Sequence, residues 1–389
     1  MLKQFVVGIV SLVWSASVGA ETITVCAQGC AYSTVQSAID GSTDGDVIEV
    51  LEGVYPFSSI TIDDRSLTLR GQVDSVTGEP VSILDAQGFG SVVHCIGGQE
   101  AGIVLENLVF QNGSAAEGAG VRCTNSSPTI INCVFRDNVA TGFVRGGGGF
   151  SCGPGCAPTL VDCLVTENDA VEDGGGVHCY GASHLTLSNC ILSQNSASSD
   201  GGGGYASGGA ELELNGCLIT GNGLTTNDGG GLYCNDFSTL RLNDCVLTGN
   251  QASDDGGGLA GDTNSNIELT GCQVRDNIAP SGSGVHVQSG VHLLESVLCG
   301  NGSNLADQLS GSYVDLGGNC ISVLCDECEP TECPADIDGT GLIDGADLTL
   351  LLAQWNCAGG TCSADIDGSG LVDGADLTII LASWGACDA

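Results

Sequence analysis

Seven cysteines, Cys133, Cys163, Cys190, Cys217, Cys245, Cys272 and Cys299, follow one another at intervals of 30, 27, 27, 28, 27 and 27 residues. Five residues after each stands an asparagine: Asn138, Asn168, Asn195, Asn222, Asn250, Asn277 and Asn304. Asn107 and Asn112 extend the frame one repeat earlier, with Asn107 in the cysteine slot. Glycine triplets recur in register at 147–149, 174–176, 201–203, 229–231 and 256–258. A fixed period of this length means stacked units, because one unit cannot bury its own apolar face.

Each repeat decomposes into strands. Leu185 and Leu187 alternate, as do Leu212 and Leu214, Leu240 and Leu242, and Ile267 and Leu269. Period two is the strand period. The phase then slips at Ser188-Asn189, Asn215-Gly216, Asn243-Asp244 and Thr270-Gly271, all turn-forming pairs. A third strand follows each glycine triplet, as in Gly176-Val177-His178-Cys179. Three short strands and three bends per repeat predict an all-β solenoid with rungs about 4.8 Å apart. Equivalent residues then pile into columns. Stacked asparagines can bond side chain to side chain and side chain to backbone. The glycine column supplies positive φ at a bend. It is no phosphate loop, since neither a helix nor a lysine follows it.

The repeat resembles the Gly-Gly-x-[Ile/Leu/Val] and Phe-x-x-Asn repeats of polymorphic outer-membrane-type β-helix proteins. Gly175-Gly176-Val177 and Phe135-Arg136-Asp137-Asn138 carry the likeness, although most rungs replace the Phe with Val, Leu or Ile. The N-terminal part resembles the pectin-lyase-like fold. Residues 32–39 match its amphipathic capping helix, Asp46–Val50 its first strand, closed by Gly53-Val54-Tyr55, and Ser66–Gly71 the strand after it. The resemblance covers residues 22–325 and implies a right-handed parallel β-helix of about ten rungs with an N-terminal helical cap. It says much about architecture and little about activity.

The first twenty residues predict a secretory signal peptide. Lys3 precedes an apolar run from Phe5 to Trp14, and small residues end at Val18-Gly19-Ala20, a pattern too short for a membrane span. The expected organisation is leader 1–20, β-helix 21–328 and a C-terminal unit 329–389, in a secreted or cell-surface protein. Loss of the leader removes the only lysine and leaves seven arginines against 47 acids. So acidic a chain lacks the cations that nucleic acid or an anionic membrane requires. Twenty-two cysteines in an exported chain imply an oxidising compartment.

A second column, Cys95, Cys123, Cys152, Cys179 and Cys234, lies in the strand after the glycines. Inward cysteines behave as small apolar residues, and parallel Cβ vectors suit a disulfide poorly. The columns are therefore expected to be mainly packed thiols with some cross-links. Cys26 with Cys30 and Cys152 with Cys156 are better disulfide candidates. Cys325, Cys328 and Cys333 leave a zinc site as an alternative.

After Cys328 a unit is duplicated at 29 residues. Its first copy places Asp336, Asp338, Thr340, Asp344 and Asp347 at loop positions 1, 3, 5, 9 and 12; the second places Asp365, Asp367, Ser369, Asp373 and Asp376 there. Glycine stands at position 6, and Leu342 and Leu371 at position 7 would each give a carbonyl. This is calcium-loop chemistry, predicting two calcium ions. An apolar helix follows each loop, to Trp355 and Trp384. The pair resembles a type I dockerin, an EF-hand-like loop with one helix, and more closely the cysteine-bracketed dockerin-like anchors of planctomycete-type secreted proteins. Among Cys333, Cys357, Cys362 and Cys387 three pairings are open, with Cys333–Cys357 and Cys362–Cys387 favoured. The resemblance implies a cohesin-like docking partner. However, positions 10 and 11 hold Gly345-Ala346 and Gly374-Ala375 rather than hydroxyl and basic residues, which argues against a cohesin and leaves some other surface component as the alternative partner.

Function is sought along the outward column that precedes the second cysteines: His94, Arg122, Ser151, His178, Tyr205 and Tyr233, with Tyr180 on the same face. Arg122, His178, Tyr180, Tyr205 and Tyr233 are the expected ligand-binding residues, because rings with polar tips suit sugars. Asp173, Asp200, Asp228 and Asp255 form a further column that must cap turns or share cations. The acid pairs Asp63-Asp64 and Asp254-Asp255 have no Gly-His-Gly or Arg-x-Lys companion. The chain is thus expected to be a rigid extracellular binding or structural surface for a glycan or surface component. The alternative is a polysaccharide lyase or glycoside hydrolase.

Overall fold

A computed structural model describes residues 20–389 except 58, 98–101, 144, 224–225, 326–327, 329–334, 336, 338–341, 358–361, 368, 383 and 387–389. The leader, 1–20, therefore lies almost wholly outside the described residues, as do Asp336, Asp338, Thr340, Cys333 and Cys387. No described helix is long and apolar enough to cross a membrane.

The repeat folds into a parallel β-helix of about eleven turns, one more than the expected ten. Three parallel sheets of 12, 11 and 10 strands run its length. The first begins with Thr22–Val25 and Val47–Val50 and includes His184–Ser188 and Glu211–Asn215. The second includes Leu108–Gln111, Val134–Arg136 and Leu218–Thr220. The third includes Val93–Ile96, Val121–Thr124, Val177–Tyr180 and Gly204–Ser207. Strand alternation does the sorting. Leu185, Leu187, Leu212 and Leu214 are wholly buried, while the alternate residues Thr186, Glu211 and Glu213 face outward. A short fourth ladder was not anticipated. It joins Ser114–Ala115, Val139–Ala140, Asp169–Ala170 and Ser196–Ala197, and buries Ala140, Ala170 and Ala197 together. A helix, Val35–Gly41, caps the N-terminal end with Val35, Ala38 and Ile39 buried.

The asparagine column is a continuous amide ladder. Asn138, Asn168, Asn195, Asn222, Asn250 and Asn277 each donate from Nδ2 to Oδ1 of the next amide at 2.9–3.0 Å. The same oxygen accepts the preceding asparagine's backbone N–H, as Asn222 Oδ1 does from Asn195 at 2.9 Å. Two ends of the column differ from expectation. The last interval is 24 residues, so Asn301, not Asn304, receives Asn277; Asn304 instead caps the short helix Leu305–Gln308. At the other end Phe110 pairs with Phe135, which puts Leu108 rather than Asn107 in the cysteine slot and Gly113 rather than Asn112 in the asparagine slot. Gln308 Oε1 accepts from Asn301 N at 2.9 Å and from its Nδ2 at 3.0 Å, and ends the ladder.

Only the first glycine of each triplet takes positive φ, for example Gly174 at 65°. The others are glycine because the next rung's backbone lies against them: a Cβ on Gly203 would stand 2.5 Å from the Gly231 oxygen.

Both cysteine columns are packed thiols. Twelve described cysteines are free and buried, and burial pushes the Cys123, Cys133 and Cys152 thiols up, which makes them inert. Cys26–Cys30 is bonded as expected. Cys152–Cys156 is not, because Cys152 points inward to Cys179, with the sulfurs 3.5 Å apart. Cys299 leaves the column: Ser296 takes its slot, accepting from Cys272 N, and Cys299 bonds Cys325. Cys320 bonds Cys328, so neither Cys325 nor Cys328 is available to zinc. In the tail Cys357 bonds Cys362, against both favoured pairings. Those two cysteines end one unit and begin the next, five residues apart.

Candidate functional site

The outward column of the third sheet is in register from Thr61 through His94, Arg122, Ser151, His178, Tyr205 and Tyr233 to Ala260 and His286. Its middle is covered. His178 is 2% exposed and Tyr205 6%, because the glycine turn of the rung folds over the strand it precedes. Gly146 N donates to His178 Nδ1 at 3.0 Å, and Ser207 Oγ lies 3.1 Å from Nε2. Burial, aided by Arg145, pushes His178 down to about 3, so it is neutral at pH 7. His178 and Tyr205 therefore form a floor and not the ligand contacts expected of them.

The rings pack against one another along this floor, tilted, edge to face and stacked in turn. His178 lies 5.3 Å from the Tyr180 ring and 5.0 Å from Tyr205. Tyr205 and Tyr233 are stacked at 5.6 Å with planes 8° apart, an arrangement that fixes both. Asn235 Nδ2 donates to Tyr205 OH at 2.8 Å. Tyr180, Tyr233 and Arg122 keep part of their surface open. Burial, helped by Glu117, pushes Tyr180 up to about 12, and Tyr205 and Tyr233 are also raised by burial and neighbouring aspartates. All three phenols keep their protons.

Sequence reasoning missed the group that closes one end. Glu117 is 6% exposed and pairs with Arg122, and lies 3.7 Å from Arg145. Arg145 Cζ sits 4.2 Å over the Tyr180 ring, and its Nη1 donates to Tyr180 OH at 3.0 Å. Both arginines are spent on one carboxylate. Glu117 precedes its strand and Arg145 an earlier glycine turn, outside every column, so no periodicity marked them.

The aspartate column caps backbone. Asp173 Oδ1 accepts from Asp200 N at 3.3 Å, Asp200 Oδ1 from Asp228 N at 3.4 Å, and Asp228 Oδ1 from Asp255 N at 3.0 Å. Asp254 adds a third carboxylate: oxygens of Asp228, Asp254 and Asp255 lie within 4.8 Å of one another. Burial, then the charges of Asp173 and Asp228, push Asp200 up to about 7. A carboxyl raised on folding stabilises the native state below its unfolded pKa and loses that contribution as pH rises through 7. Asp200→Asn keeps the acceptor for Asp228 N. It is expected to raise stability by about 1 kcal/mol at pH 8, solvent screening discounted, and to change little at pH 4. Equal melting shifts at both pH values would refute the assignment.

In the tail, the second loop brings together Asp365, Asp367 and Asp376, with oxygens within 4.8 Å. Gly370, at φ 87°, turns the loop and donates to Asp365 Oδ2 at 2.8 Å. Ser369 N donates to Asp367 Oδ1 at 2.9 Å. Asp376 is wholly buried and accepts from Ile366, Asp367 and Asp373. Asp365 Oδ1 is buried with no hydrogen-bond partner among the described residues. An orphaned carboxylate oxygen among oxygen donors fits a hard cation. In the first loop Asp347 repeats the role of Asp376, accepting from Ile337 N and Asp344 N. Asp344 and Asp373 each cap the helix that follows, accepting from Ala346 N and Ala375 N. The backbone of Leu342–Ile343 pairs antiparallel with Gly385–Ala386, and Leu371 O accepts from Ser369 Oγ.

A family model described as right handed beta helix region matches residues 119–298. No curated protein matches the chain in sequence. Among solved structures, pectate lyase Pel9A aligns with TM-score 0.43 and 10% identity over 78% of this chain and 79% of that one. A pectin methylesterase from Aspergillus niger aligns with TM-score 0.37 and 14% identity over 80% and 92%. The A-module of the Azotobacter vinelandii mannuronan C-5 epimerase AlgE6 aligns with TM-score 0.26 and 13% identity over 74% and 94%. The matched rungs and the observed coil together make this chain a right-handed parallel β-helix.

Proposed function

We propose that this is an exported, glycan-associated binding protein whose β-helix presents a rigid face and whose dockerin-like tail attaches it to a surface component through two calcium-ordered loops. The observation that carries the proposal is the ring row of the third sheet. Tyr205 and His178 form a packed floor, and Tyr180, Tyr233 and Arg122 rise from it with open surface. Rings held by stacking lose little freedom on binding a sugar. A polysaccharide panel scored for binding and for cleavage, with and without calcium, tests it. Tyr233→Ala and Tyr180→Ala are each expected to weaken binding about tenfold, or about 1.4 kcal/mol. Unchanged affinity in both would refute the site.

One observation favours the enzyme instead. The Asp228, Asp254 and Asp255 carboxylates approach within 4.8 Å, close to the separation of about 5 Å used by retaining glycoside hydrolases. New reducing ends, lost in Asp254→Asn, would establish a hydrolase; unsaturated products would establish a lyase. Binding without cleavage leaves the binding protein.

A further inference from the structure

The outward side of the second sheet differs from the rest of the surface. Leu164, Ile191, Leu218 and Val246 stand in register on it, and beside them Thr166, Ser193, Thr220 and Thr248. Ile191 is 40% exposed, and the other seven side chains are half-buried by their neighbours in the stack. Ser193 Oγ donates to Thr166 Oγ1 at 2.9 Å, and the hydroxyls of Thr220 and Thr248 continue the same register. Along the two columns charge returns only at the ends, where Arg136 pairs with Thr166 and Arg275 with Thr248, while the turns at the sides carry the exposed acids Asp162, Glu167 and Asp244. Four consecutive strands thus present no ionisable group outward in a chain of net charge −39. The first sheet, by contrast, carries His184, Glu211, Glu213, Arg241 and Glu268 outward.

We propose that this two-column strip is a second binding face, and that its ligand is an uncharged polysaccharide chain lying along the stack. The strip offers what such a chain needs. Aliphatic groups meet the C–H faces of the sugar rings, and hydroxyls alongside meet sugar hydroxyls. Both recur at one rung spacing, about 4.8 Å, so contacts repeat as the polymer does. Charge selects the ligand class: the strip has no cation to hold a uronate or sulfate, and the field of the whole chain repels either. Size excludes a second copy of the chain. Four rungs and two columns cover on the order of 200 Å², against about 800 Å² per partner in a stable dimer.

The strip and the ring row lie on different sheets, so the two sites are separable. The full chain is assayed for adsorption to insoluble cellulose, chitin and mannan, with a polygalacturonate gel as the acidic control. Adsorption to at least one neutral polymer is expected, weaker by tenfold or more in Leu218→Glu/Thr220→Asp and retained in Thr186→Asp on the first sheet. Both altered strips point to solvent, and circular dichroism verifies the fold. Adsorption to none of the neutral polymers would overturn the proposal, as would adsorption that the double variant keeps. A dimer in light scattering that the double variant dissociates would also overturn it. Adsorption lost in Tyr233→Ala alone would place the polymer on the ring row and refute the strip while leaving that site standing.

Discussion

Asn222→Ala is expected to cost about 4 kcal/mol of folding stability. Asn222 sits mid-ladder and is wholly buried. Its Oδ1 accepts two bonds from Asn195, from N at 2.9 Å and Nδ2 at 3.0 Å, while its Nδ2 donates to Leu192 O and Asn250 Oδ1 at 2.9 Å. Alanine removes four hydrogen bonds inside the coil: Asn195 Nδ2 keeps Val165 O and Asn250 Oδ1 keeps the residue 222 N–H, but Asn195 N loses its side-chain acceptor. Each lost bond costs about 1 kcal/mol, and a buried donor left unsatisfied about 1–3, while partial relaxation or a trapped water recovers part of the total. The check is urea unfolding beside Asn304→Ala, an exposed helix cap whose loss costs about 1 kcal/mol. If the two variants cost the same, the amide ladder is not what holds the rungs together.

Calcium removal should have the second large effect, confined to the tail. Asp365, Asp367 and Asp376 crowd their oxygens within 4.8 Å, with one Asp365 oxygen unpartnered among the described residues. The buried core beneath them is small: Ala335, Ile343, Leu351, Ala364, Val372 and Ile380. A cation at a thousandfold excess over its Kd would add about 4 kcal/mol, comparable to what so few side chains supply. Chelator is expected to open the helices Gly345–Ala353 and Gly374–Ala382 to protease and to leave the β-helix resistant. Asp365→Ala should lower calcium affinity at its loop by tenfold or more. A tail as resistant in chelator as in calcium would mean the loops are ordinary acidic turns.

The coil was legible because a stack repeats its constraints. Each inward leucine or asparagine meets its own kind one rung away, so each column writes itself into the sequence at a period near 27 residues. Legibility failed where the period did. The 24-residue last turn moved Cys299 and Asn304 out of columns they seemed to share. The site was half legible. Alternation tells which side of a sheet His178 and Tyr205 occupy, but not that the preceding glycine turn lies over them. Glu117 and Arg145 belong to no column at all. The tail's four cysteines are evenly placed between two copies, and even spacing cannot choose among three pairings; the close approach of Cys357 and Cys362 does.

Gln308 occupies the end of the amide ladder. A side chain that accepts from Asn301 and spends its own Nε2 on the Asn304 backbone carbonyl hands no bond to a further side-chain amide, and is a full stop. The amide ladder ends there, although the coil adds one more turn through Leu309–Ser310, Tyr313–Asp315 and Cys320–Ser322. Between that stop and Asn138, however, every rung meets only its two neighbours. In-frame gain or loss of one repeat would therefore change the length of both outward faces by one step of about 4.8 Å while leaving each end intact. Reach is the property such a molecule can inherit in whole increments, with no new packing problem to solve at each one.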